Sequence, residues 1–164
     1  MIRTALAVAL LAGAAGAAPV TLSDDDVHWQ IDLPDGWAPA DPGQIEGARP
    51  LAAFASGRRH LVVARVRGDT EAAYGGKPGF FSGLEDGVKK EVEGYQRVSG
   101  TPRKLGKKKK LPAYDLWYRA AGDTRGARFI FMRNYIIVAT IDLPGETTIP
   151  RDARRLLESF GPPP

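Results

Sequence analysis

The sequence predicts an α+β domain. A mostly antiparallel sheet of about six strands is flanked by helices near residues 80–97 and 149–160, in a single α/β/α sandwich. Three observations carry this. Several short runs alternate apolar and polar residues, the period of a half-buried strand. Pro, Gly and Asp clusters separate them with turn chemistry. Two other stretches space their apolar residues three and four apart, as amphipathic helices do.

Val27, Trp29, Ile31 and Leu33 alternate with His28, Gln30 and Asp32, so the first strand runs from Val27 to Leu33. Pro34-Asp35-Gly36 ends it, and Trp37 follows. Asp41 to Pro50 reads as loop. Leu51–Ser56 and His60–Arg67 read as antiparallel strands joined by the tight turn Gly57-Arg58-Arg59. Gly68 to Gly79 is a longer connection.

Phe81, Leu84, Val88, Val92 and Tyr95 then recur at helical spacing. Glu85 with Lys89, Asp86 with Lys90 and Glu93 with Arg97 each place an acid four residues before a base, which supports an exposed helix face. Gly83, Gly87 and Gly94 each weaken that helix by about 1 kcal/mol relative to Ala, so it depends on docking.

Val98–Leu105 and Leu111–Ala120 form a hairpin around Gly106 and Lys107 to Lys110. Gly122 to Gly126 turns the chain into Ala127–Asn134 and Tyr135–Leu143. Ile136-Ile137-Val138-Ala139 is apolar in succession, as a central strand covered on both faces would be. Ile149, Ala153, Leu156, Leu157 and Phe160 make the second helical stripe. Thr148 offers a cap, and Pro150 suits the first turn.

The chain divides into a signal peptide at 1–17, a polar leader at 18–26 and one domain at 27–161. Arg3, the apolar run Ala5–Ala12 and the small residues Gly13–Ala18 follow the order of a secretory signal. The apolar run is too short for a bilayer anchor, which needs about 20 residues. A cut between Ala17 and Ala18 satisfies the small-x-small rule through Ala15 and Ala17, and Ala14 offers another. A cut after Ala18 would place Pro19 in the scissile bond. The expected location is periplasmic or secreted, with no transmembrane segment in the mature chain.

A hydrophobic fraction of 43% is ample for a core, and 26% charged residues suit a solvated surface. The formal net charge is +4, and losing Arg3 lowers it by one. This is far from the concentrated field of a nucleic-acid binder, so no nucleic acid is expected. The absence of cysteine excludes a disulfide, a thiolate metal site and a lipid-anchored N-terminal cysteine.

The strand ending in Pro34-Asp35-Gly36-Trp37, the hairpin, the mid-chain helix, the late strands and the closing Ser159-Phe160 resemble the PsbP/Mog1-like group. That group includes DcrB-like exported bacterial proteins. The resemblance spans about Val27 to Phe160 and implies an antiparallel α/β/α sandwich with non-enzymatic accessory or binding work. It carries over no catalytic motif, and the acidic metal ligands of some plant members have no match here.

Two histidines, His28 and His60, sit at strand positions without a partnered motif. Asp24 to Asp26 beside His28 lack the alternation of a calcium loop. Neither a Gly-x-Ser-x-Gly elbow nor a Ser-x-x-Lys motif is present. Asp115 and Asp142 lie on separate strands, with no spacing that marks a glycosidase pair. No cofactor is expected. Lys107, Lys108, Lys109 and Lys110, with Arg103 and Lys104 nearby, are the one concentrated charge feature. They suit either an anionic partner, such as lipid head groups or an acidic envelope protein, or a solvated tip that protects a sheet edge. Arg65, Arg67, Arg119, Arg128 and Arg133 would make one sheet rim basic if register aligned them. Trp29, Trp37 and Trp117 read as core anchors.

The leading expectation is an exported, non-enzymatic accessory or interaction domain. The alternatives are a small-molecule or lipid-binding periplasmic domain with a cleft between sheet and helix, and an unrecognised hydrolase.

Overall fold

Alternation in β2 (Val27–Leu33) buries Trp29, Ile31 and Leu33 and leaves His28 and Asp32 in solvent. The computed structural model describes residues 18–24, 27–68, 70–74, 77, 79–107 and 110–163. Residues 18–24, expected as a polar leader, are instead strand β1 (Ala18–Asp24), antiparallel to β2 with Leu22 opposite Trp29 and Val20 opposite Ile31. Pro19, Thr21 and Ser23 disguise it as a polar segment, yet Val20 and Leu22 between them are almost fully buried.

Seven further strands form an antiparallel sheet. They are β3 (Ala38–Ala40), β4 (Ala48–Ser56), β5 (Arg59–Arg67), β6 (Gln96–Leu105), β7 (Leu111–Ala120), β8 (Asp123–Phe131) and β9 (Tyr135–Leu143). Their spatial order is β3-β4-β5-β9-β8-β7-β6. The expected Asp41–Pro50 loop therefore ends at Gly47. Pro50 sits beside a register shift where an irregular strand tolerates it. Similarly, β8 begins at Asp123 rather than Ala127, because a two-residue turn at Ala121-Gly122 suffices.

Register assigns the two faces. Leu61, Val63, Ala139, Ile141, Ile130, Ala113 and Trp117 share one face. The β1–β2 hairpin and helix α3 (Arg151–Ser159) cover it, burying Ala153, Leu156, Leu157 and Phe160. The Ser159-Phe160 signature has a physical role here. Ser159 Oγ accepts a hydrogen bond from the Asp32 amide at 2.9 Å, and the Phe160 ring packs 5.9 Å from Trp29. Pro150, in an extended conformation, precedes α3, and Thr148 does not cap it with its side chain.

Tyr114, Leu116, Tyr118 and Phe131 line the other face. The short helix α1 (Glu71–Tyr74) and α2 (Phe80–Glu91) cover it. Helix α2 buries no residue completely and docks through rings: Phe81 stacks on Tyr114 at 4.7 Å, and Phe80 meets Phe131 edge-on at 5.2 Å. It stops at Glu91, short of the expected 97. Gly94, at φ 69, turns the chain out of the helix, and Gln96 already pairs with Arg119. Arg97 consequently bonds Glu85 at 2.8 Å instead of Glu93. No helix among the described residues is long and apolar enough to cross a membrane.

Candidate functional site

Antiparallel pairing brings several strand ends to one end of the sandwich. There β4 begins after Gly47, β5 ends at Arg67, β8 turns into β9 through Arg133 and Asn134, and β6 turns into β7. Lys107 and Lys110 stand exposed at the β6–β7 tip, with Lys104 exposed on the strand below. Lys108 and Lys109 lie outside the described residues. Arg133 is exposed in the β8–β9 turn, and Arg67 is exposed at the end of β5. Among the described residues none of Lys104, Lys107, Lys110, Arg67 and Arg133 makes an ion pair.

Beside this row lies an open cleft of about 910 Å³, lined by Gly47, Arg49, Arg65, Arg67, Asn134 and Tyr135. Arg49 and Arg65 are direct cross-strand partners. Beneath them the Asp24 carboxylate, fully buried, lies 3.4 Å from Arg49 and 3.3 Å from Arg65. The Arg65 guanidinium also sits 3.9 Å above the Tyr135 ring, a cation–π contact that fixes its plane. A buried carboxylate thus holds two guanidinium groups in place at the cleft wall, and such planar forks suit carboxylate or phosphate oxygens.

The anticipated arginine group separates into different tasks. Arg65, Arg67 and Arg133 reach this end. Arg128 is buried against Asp115, and Arg119 donates to the Thr147 carbonyl at the opposite end. Arg49 completes the cleft and falls within the expected loop. Its only sequence signal was its place two residues before the apolar Leu51. Asp24 turns inward to the arginines and away from His28, whose Nδ1 lies 3.0 Å from Ser23 Oγ. Asp115 and Asp142 point to opposite faces, each held by an arginine across the strand pair. Ala18 is the first residue of β1, and Ala17 lies outside the described residues.

No protein-family model matches the chain, and no curated protein matches it. Among solved structures it is similar to cyanobacterial PsbP (CyanoP) from Synechocystis sp. PCC 6803, known in solution, with a TM-score of 0.56 and 16% identity over 92% of this chain and 94% of that one. The fold is PsbP-like. The α+β architecture and its largely antiparallel sheet therefore stand as expected from the sequence. At this identity the PsbP likeness carries the fold alone, and function has to be argued from the site.

Trp29 and Trp117 are core residues, 0% and 4% exposed, and Trp37 packs against the same core. In the Pro34–Trp37 signature the Trp37 amide donates to the Pro34 carbonyl at 3.3 Å, and Gly36 takes the positive φ of 85° that the turn requires. The residues that carry the resemblance are therefore structural.

Proposed function

We propose that the chain is exported and serves as a non-enzymatic accessory or interaction domain, meeting an anionic envelope partner through its basic end. The observation that carries this reading is the row of Lys107, Lys110, Arg133 and Arg67 along one end of the sandwich. At the other end Arg59 is tied to Glu146 and Asp152, and Arg125 to Asp142. Cations left unpaired in a row are free to meet acidic groups of another molecule. The wider PsbP/Mog1-like grouping, with its DcrB-like exported members, belongs to the same proposal and is supported by the Pro34–Trp37 turn and the Ser159-Phe160 helix end. A cut after Ala17 leaves β1 whole, which favours that site.

Two measurements test this together. N-terminal sequencing of the exported protein is expected to begin at Ala18, and an intact Met1 would contradict export with cleavage. The exported protein is expected to be captured by the anionic envelope fraction, and to lose that capture when Lys107 to Lys110 are all replaced by Gln. Capture indifferent to that change would remove the basic end from the proposal.

A second reading has its own observation. A groove of about 400 Å³ lies between α2 and β9, lined by Phe80, Gly83, Leu84 and Ile136 with Lys77 at its rim. This suits a small apolar ligand with an acidic head. Native mass spectrometry of the purified protein decides: a bound mass that disappears on Leu84→Trp supports it, and a bare protein mass counts against it.

A further inference from the structure

Five neighbouring strand spacings separate the start of β4 from the end of β6 at the basic end. The row of exposed cations therefore extends about 24 Å. Arg49 stands at β4, Arg67 at β5, Arg133 between β8 and β9, and Lys110, Lys107 and Lys104 on the β6–β7 hairpin. They lie in a line and do not converge on a point. A single bound anion would need convergence, whereas an extended negative surface meets a line of charges all at once.

A second observation falls on the same end. Strand β3 runs toward it, and the loop that returns to β4 carries Ile45, 36% exposed and one of the large apolar side chains that reach solvent. The Ala48 amide closes this turn onto the Ile45 carbonyl at 3.2 Å. The site thus combines long basic side chains with an aliphatic one at its margin. Lysine side chains suit such a surface because their stems lie along apolar material while their heads stay in water.

We infer that this end docks on an anionic lipid bilayer, with the lysine tip and Arg133 over the head groups and Ile45 entering the interface. The inference rests on the anionic-partner reading above and names the partner. In sequence Lys108 and Lys109 follow Lys107, and Asp69 comes two residues after Arg67. Glu46 adjoins Ile45 in the same loop. The lysine half therefore makes the first contact, and Ile45 with the arginine cleft, at the other end of the line, reaches the surface after it.

The test is cosedimentation of the exported protein with two kinds of vesicle, pure phosphatidylcholine and equimolar phosphatidylcholine–phosphatidylglycerol. Binding is expected only to the second, and added salt should release it, since exposed charges are screened. Replacing Lys107, Lys108, Lys109 and Lys110 by Gln is expected to lower the partition coefficient by several hundredfold, since each basic residue near such a surface is worth about fivefold. A control with the same charge change elsewhere, Lys89→Gln, Lys90→Gln, Arg154→Gln and Arg155→Gln, should bind within about twofold of the parent if position matters more than net charge. Ile45→Ser should weaken binding without altering its salt dependence. Equal losses in the two charge variants, or no binding to the anionic vesicles, would overturn the inference. Lysine-dependent capture of an acidic protein without vesicle binding would keep the accessory reading and reject the bilayer. Lysine-dependent vesicle binding with no captured protein supports the bilayer as that partner.

Discussion

Arg128 on β8 grips Asp115 on β7 with two hydrogen bonds, Nε to Oδ1 at 2.6 Å and Nη2 to Oδ2 at 2.7 Å. The two residues are direct cross-strand partners, and their side chains are only 4% and 6% exposed. The remaining guanidinium nitrogen donates to the carbonyls of Glu158 and Phe160 at 2.6 and 2.9 Å. One side chain thus fixes sheet register and satisfies carbonyl groups at the end of α3 that the helix leaves unpaired. Arg103 approaches the same carboxylate at 3.2 Å from β6.

Removing one partner of this pair strands a buried charge. Asp115→Ala is expected to destabilise by about 3–5 kcal/mol. The double change Asp115→Leu with Arg128→Met removes both charges and should recover much of that loss. Urea unfolding of the three proteins measures this. A double variant as unstable as Asp115→Ala would show that the α3 carbonyls, rather than the stranded charge, dominate the cost.

The glycines of α2 and β8 predict opposite outcomes for the same substitution. A Cβ at Gly83 or Gly87 meets no atom within 4 Å. Each Gly→Ala change there should stabilise by about 1 kcal/mol through helix propensity. At Gly126 a Cβ would lie 2.6 Å from the Trp117 ring, directly across the strand pair. Gly126→Ala should cost about 1–3 kcal/mol as the ring is displaced. Thermal unfolding followed by tryptophan fluorescence separates them, since only the β8 change should alter the native spectrum.

High pH should destabilise the domain from the side of α2. Burial pushes the Tyr118 phenol above its ordinary value of 10.0. Burial also raises Tyr114, whose hydroxyl donates to Glu85, and Tyr95. A folded-state pKa above the unfolded one means the folded protein holds the proton more tightly. That contribution is fully present below about pH 10 and is lost as pH rises through the folded-state value. Tyr118→Phe should flatten the fall in stability above about pH 10. Unfolding midpoints across the alkaline range give the measurement, and an unchanged slope would exclude Tyr118 as a contributor.

Legibility varied element by element. Strand β9 runs from Tyr135 to Leu143 as the alternation indicated, and it is central. Its even coverage did not follow. Ile137, Ala139 and Ile141 are completely buried, whereas Ile136, Val138 and Thr140 are half-buried because α2 lies over Tyr114, Leu116 and Phe131. Apolar pattern records that a face is shielded, not how far its cover extends. Strand β1 was illegible for a related reason. Asp24 looks like a solvated residue until Arg49 and Arg65, from two distant strands, close over it.

The local sequence determined the α+β class, most strand positions, the Pro34–Trp37 turn and the α3 stripe, because each depends on side-chain period and on backbone preferences a few residues long. Only the tertiary structure decided which charges are spent and which are left outward. Arg65, Arg67, Arg128 and Arg133 are alike in sequence. Strand order and register send Arg128 inward to Asp115, seat Arg65 between Asp24 and Tyr135, and set Arg67 and Arg133 in line with the lysine tip. A shift of one residue would exchange the faces and reverse those assignments, so the charge pattern is a property of pairing between segments far apart in the chain.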